Sequence, residues 1–102
     1  MKIKMLSRVT FLIQFYLFFI TKQINKAEKL CLKRIAKNPS EQLSKTLLGH
    51  LYFKLKEYEK STLQYKLLLE HAPSDFMNYY NLLRVLFRSG KYEELIQLGT
   101  KC

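Results

Sequence analysis

The sequence predicts an all-α fold, and three observations carry that expectation. Only three glycines and two prolines punctuate 102 residues, so the chain suits long helices better than short strands joined by turns. In its middle third Leu43, Leu47, Leu48, Leu51, Tyr52 and Leu55 recur at helical spacings and form a broad apolar stripe. Pro39-Ser40-Glu41 returns 34 residues later as Pro73-Ser74-Asp75, so the helices belong to a repeated unit.

Length and composition bound what those units can build. At 102 residues the chain has room for one small domain, 1–102, and its 48 % hydrophobic content is too apolar for a disordered tail. The net charge of +10 is unevenly spread: nine basic residues and one acidic lie up to Ser40, against nine basic and seven acidic from Glu41 onward. An acidic partner, a membrane surface or nucleic acid is therefore to be sought nearer the first end. Cys31 and Cys102 have no CxxC or Cys/His spacing around them, so neither a disulfide framework nor a structural metal site is expected.

Each repeated unit reads as helix, turn, helix. Shifting the chain by 34 residues aligns Leu43 with Met77, Leu48 with Leu82, Phe53 with Phe87, Tyr58 with Tyr92 and Glu59 with Glu93. Ser40 and Ser74 stand where an N-cap is wanted, each just after a proline that stops the preceding helix. The second helix of the complete unit is expected to begin near Glu57 and to end before Pro73. The units fall at about 8–41, 42–75 and a shortened 76–102.

These residues resemble the tetratricopeptide repeat family. That family's pattern sets a Leu-Gly and a Tyr on the first helix against a small residue, an aromatic and a closing Pro on the second. The stretch from Gln42 to Pro73 matches at Leu48-Gly49, Tyr52, Tyr58, Ser61, Tyr65 and Pro73. Gly49 and Ser61 are small where the two helices should cross most closely. The third unit matches at Tyr79, Leu82, Gly90 and Tyr92, and departs at Leu83 and Leu95, which are bulky where the family is small. In the first unit Ala27 and Pro39 keep register, while Phe15 occupies the glycine position. The resemblance implies antiparallel hairpins stacked in a short right-handed superhelix of about two and a half to three repeats. Hairpins of this kind need about three copies to bury a core, so self-association is a further expectation.

The N-terminal stretch supports two readings. Lys2, Lys4 and Arg8 precede the apolar run Val9–Ile20, the outline of a signal or anchor, although no small-residue cleavage site follows. The run is shorter than the roughly 20 residues that span a bilayer. Phe11, Phe15 and Phe18 instead carry the spacing of a helix facing a core. A core helix in a cytoplasmic protein is the leading expectation, with membrane tethering through 9–20 as the alternative.

The resemblance also places a partner surface. First helices of successive units line a concave groove, and on the matching positions that groove presents Leu43, Thr46, His50, Phe53 and Lys54, then Met77, Tyr80, Arg84, Phe87 and Arg88. His50 with Arg84, and Lys54 with Arg88, would make it basic, with Phe53, Tyr80 and Phe87 adding flat apolar area. Such a groove suits a protein or peptide bearing acidic and hydrophobic side chains, since arginine forms forked contacts with carboxylates. The family's carboxylate clamp is not reproduced, because Leu12, Tyr16 and Leu47 stand at its polar positions. Lys22, Lys26, Lys29, Lys33 and Lys37 fall on one helical face, which reads either as a solvated outer face or as a basic ridge for anionic lipid or RNA. Nucleic acid is disfavoured, because the aromatics that would stack on bases occupy repeat-core positions.

Nothing in the sequence spells a catalytic centre. There is no Gly-rich phosphate loop, no HExxH and no nucleophile elbow. No cofactor is called for. The acidic pairs Glu57/Glu59 and Glu93/Glu94 open second helices, where the helix dipole favours negative charge. The expectation is a non-catalytic binding module.

Overall fold

The computed structural model describes residues 2–101, with side chains for 7–100; the side chains of Lys2 and Lys4, and Cys102, lie outside the described residues. Six helices follow in order: α1 (Lys2–Ile20), α2 (Ile24–Lys37), α3 (Gln42–Lys54), α4 (Tyr58–His71), α5 (Phe76–Arg88) and α6 (Tyr92–Lys101). The all-α fold read from the sequence is the fold observed. Packed neighbours are α1 with α2, α3 with α4, α4 with α5, and α5 with α6. The chain divides into two compact units, Met1–Glu41 and Gln42–Cys102.

One turn design joins the helices of every hairpin. Lys22, Lys56 and Gly90, spaced by 34, all have positive φ, at 61°, 61° and 77°. Behind each, the next backbone N–H reaches back to a carbonyl five residues earlier: Gln23 to Phe18 at 2.7 Å, Glu57 to Tyr52 at 2.9 Å and Lys91 to Leu86 at 3.0 Å. The positive-φ residue itself bonds three back, to Phe19, Phe53 and Phe87. This is a Schellman closure, which satisfies helix-end carbonyls and reverses the chain within a few residues. A left-handed residue followed at once by a helix brings the two helices back side by side.

In the first unit, Phe11 and Phe15 of α1 are buried, as are Ala27 and Cys31 of α2. The aromatic series continues along α1, with Phe11 and Phe15 centroids 6.4 Å apart and Phe15 stacked on Phe19 at 6.3 Å. Arg34 of α2 lies 4.3 Å over the Phe11 ring and donates to Glu41 Oε1 from Nη2 at 2.8 Å and Nε at 3.1 Å. Burial, together with the nearby Glu41 carboxylate, pushes the Cys31 thiol up to about 12, so it behaves as a small apolar group. The phenylalanine face of α1 is thus a core face. Among the described residues no helix is long and apolar enough to cross a membrane.

In the second unit, Tyr65, Leu68, Leu82, Val85 and Leu86 form the buried centre, with Leu95 and Leu98 of α6 packed against it. Leu83 and Leu95, the bulky departures from the family pattern, are only half-buried. Buried Asn78 of α5 donates from Nδ2 to the carbonyls of Leu68 at 3.1 Å and Ala72 at 3.2 Å. Each carbonyl also accepts a backbone N–H at the end of α4, from Ala72 at 2.9 Å and from Asp75 at 3.1 Å, so the side chain adds a second donor to both and ties α5 to α4.

Three local expectations are corrected. The N-cap of α5 is Asp75, whose Oδ1 accepts from the Met77 N–H at 3.0 Å, and not Ser74. Ser40 likewise stands outside α3 and donates its hydroxyl to Asn38 Oδ1 at 2.8 Å, inside the turn. Each helix starts two residues later than its serine, because the proline-led turn occupies the intervening positions. Lys22 is not on the lysine face of α2, since it forms the left-handed turn before that helix. The exposed row on α2 is Lys26, Lys29, Lys33 and Lys37.

Candidate functional site

The site begins at the closest crossing of α3 and α4. A Cβ on Gly49 would lie 2.5 Å from Tyr65 Cε1 and 2.7 Å from its Cζ, so the tyrosine ring lies flat against a backbone that carries no side chain. Ser61, one turn before Tyr65 on α4, donates its hydroxyl to the Gly49 carbonyl at 2.8 Å and is fully buried. Small residues let the helices approach, and the ring fills the space so created.

The ring is long enough to pass beyond Gly49 to the next residue on α3. Its Oη lies 2.9 Å from Nδ1 of His50, with the two rings edge to face at 5.9 Å. Nη2 of Arg84, from α5, is 3.5 Å from the same Nδ1. Arginine has donors only, so its position beside Nδ1 favours the tautomer in which Nδ1 accepts and the imidazole proton sits on Nε2. Burial lowers the pKa of His50, and the charge of Arg84 pushes it the same way. Burial raises the Tyr65 phenol, with Arg84 opposing, so the phenol keeps its proton and donates it. Near neutral pH His50 is therefore an uncharged acceptor for Tyr65 and Arg84, whereas a basic pair with Arg84 was the expectation.

Arg84 is held on more than one side. Its guanidinium carbon lies 4.4 Å over the Phe53 ring and 5.9 Å from the centroid of Tyr80. Its Nε is buried and has no acceptor among the described residues. Contacts of this kind hold a guanidinium in place, and among the described residues no carboxylate pairs with it, the opposite of the Arg34 arrangement, where Glu41 neutralises the cation.

Of the ten positions expected to line a groove, His50, Phe53, Tyr80 and Arg84 are brought together. Leu43 and Thr46 are half-buried, and the Thr46 hydroxyl is spent on the Gln42 carbonyl at 3.0 Å. Lys54, Met77, Phe87 and Arg88 are exposed. Phe87 stands edge to face with Tyr92 at 6.1 Å, the counterpart of Phe53 with Tyr58 at 5.9 Å. Tyr65 is the member that sequence reasoning missed: it was assigned to the core, where its ring does lie. The available signal was His50 immediately after Gly49, which sets a ring acceptor just past a position where only hydrogen faces the tyrosine. Among the described residues no cluster of three His, Cys, Asp or Glu is close enough to hold a metal.

Over 79 residues the chain is 29 % identical to tetratricopeptide repeat protein 21A of Mus musculus, a match that covers 78 % of this chain and 6 % of that protein. The chain is thus similar to a small part of the relative's length. No protein-family model matches it. The similarity agrees with the all-helical hairpins and with the 34-residue recurrence of the left-handed turns.

Proposed function

We propose that this chain is a non-catalytic protein-interaction module whose α3–α5 face holds a peptide carrying acidic and hydrophobic side chains. The observation that carries this reading is the state of Arg84: a cation fixed by Phe53 and His50, with its charge uncompensated by a carboxylate in that cluster. Lys54 and Arg88, each one helical turn further along, extend the positive strip, and exposed Met77, Tyr80 and Phe87 supply apolar contact. Aromatic and arginine side chains are the groups that dominate protein interfaces. The similarity to a tetratricopeptide repeat protein favours a protein partner over other classes.

A peptide array of random octamers, probed with the purified chain, tests the proposal. Bound sequences should be enriched in Asp or Glu next to Leu, Phe or Ile. Enrichment in Lys and Arg, or equal binding to all sequences, would overturn it.

A further inference from the structure

We propose that the groove is a proton-linked carboxylate receptor, in which a partner carboxylate seated on Arg84 is bound together with a proton at His50. The inference rests on the groove reading above and adds a ligand chemistry and a response to pH. In the free protein two groups able to donate face His50 Nδ1, Tyr65 Oη at 2.9 Å and Arg84 Nη2 at 3.5 Å. Accepting from either requires a neutral imidazole, because a protonated Nδ1 has no lone pair to offer either donor.

A carboxylate arriving at the guanidinium changes both partners of His50. It gives the Arg84 Nη donors a better acceptor than an imidazole, since charge-assisted bonds to carboxylate are the stronger ones. It also neutralises the cation that, after burial, holds His50 neutral. His50 can then take a proton from solvent on Nδ1 and donate it to Tyr65 Oη, reversing that hydrogen bond while keeping its partner. One carboxylate and one proton enter together, so the single positive charge of the free pocket, that of Arg84, is also the net charge of the occupied one.

The groups around His50 permit this. On α4 they are Tyr65 and the hydroxyl of Ser61, neither charged; on α5, Arg84, with Arg88 one turn on; on α3 itself, Lys54 one turn on. The charge acting on His50 is that of Arg84. Binding and protonation are linked reciprocally, so whatever favours one favours the other to the same degree.

NMR of the full chain tests the idea, following the ring signals of His50. The probes are an acetylated tetrapeptide alternating glutamate and leucine, and its glutamine counterpart, at fixed ionic strength. The glutamate peptide should move backbone signals on α3 and α5 and raise the His50 midpoint. Its affinity should rise about fivefold or more between about pH 7.5 and about pH 5.5, the lower end of ordinary couplings. Arg84→Gln should raise the His50 midpoint without peptide and abolish the further rise on adding it. Groove signals that move while the His50 midpoint stays fixed would overturn the linkage and leave the groove reading standing. No movement on α3 or α5 with either peptide would overturn the groove reading and the linkage with it.

Discussion

Tyr65 lies against Gly49 so closely that a Cβ on the glycine would sit 2.5 Å from the ring, and this contact delivers the phenol oxygen to His50. A structural crossing and the polar cluster of the groove are thus the two ends of one side chain. Gly49→Ala should destabilise the chain by about 1–3 kcal/mol, the usual cost of overpacking a filled core. It should also displace Tyr65 from His50. Chemical denaturation gives the first effect and the His50 ring shifts the second; a variant as stable as the parent would contradict the geometry.

Stability should depend on pH through His50. Its midpoint is lowered by folding, so the unfolded chain takes up the proton first as pH falls. Stability should therefore be highest above about pH 6.5, the ordinary histidine value, and should decline as pH falls from there through the folded midpoint. Urea melts of the parent and of His50→Gln across this range isolate the contribution, because the substitution should remove that part of the slope. Identical slopes in the two proteins would refute the assignment.

The left-handed turns make opposite predictions for glycine and lysine. A non-glycine residue at φ of 61° carries a strain of about 1 kcal/mol or more, offset in part by the greater freedom of glycine in the unfolded chain. Lys56→Gly should therefore raise stability by about 0.5 kcal/mol or more, whereas Gly90→Ala should lower it by about 1 kcal/mol. Thermal melts of both variants check the pair, and a loss of stability in Lys56→Gly would show the lysine to be held by something other than the turn.

Asn78 offers a test of how α5 is fastened. Asn78→Leu has similar bulk but leaves the carbonyls of Leu68 and Ala72 without their side-chain donor. Both carbonyls keep their backbone donors, so a loss of about 0.5–1.5 kcal/mol is expected, with faster amide exchange over the last turn of α4. Unchanged exchange there would mean that Asn78 is merely a space-filling residue.

The sequence announced the helices more clearly than their ends. Recurrence of Pro39 at Pro73, and of the apolar stripe with it, reflects burial and chain reversal, which depend on residue type and so leave a pattern. Asp75 was hidden as an N-cap because Ser74 beside it has equal propensity for the position, and only the backbone path selects between them. Lys22 and Lys56 could not be read as left-handed turns, since lysine has no preference for that conformation and adopts it because the hairpin demands it. That His50, Phe53 and Arg84 share one face was legible from the repeat register. The charge state of His50 was not, because it depends on Tyr65 reaching across from another helix.

The most direct test of the account measures fluorescence anisotropy of a labelled glutamate- and leucine-containing peptide against the parent chain and the Arg84→Glu, Arg88→Glu double variant, with helicity of both proteins checked by circular dichroism. Charge reversal in the groove should weaken the acidic peptide about a hundredfold, within the range measured for close charge pairs at interfaces, and should create affinity for a lysine- and leucine-containing peptide. Equal affinity of parent and variant for the acidic peptide would contradict the account.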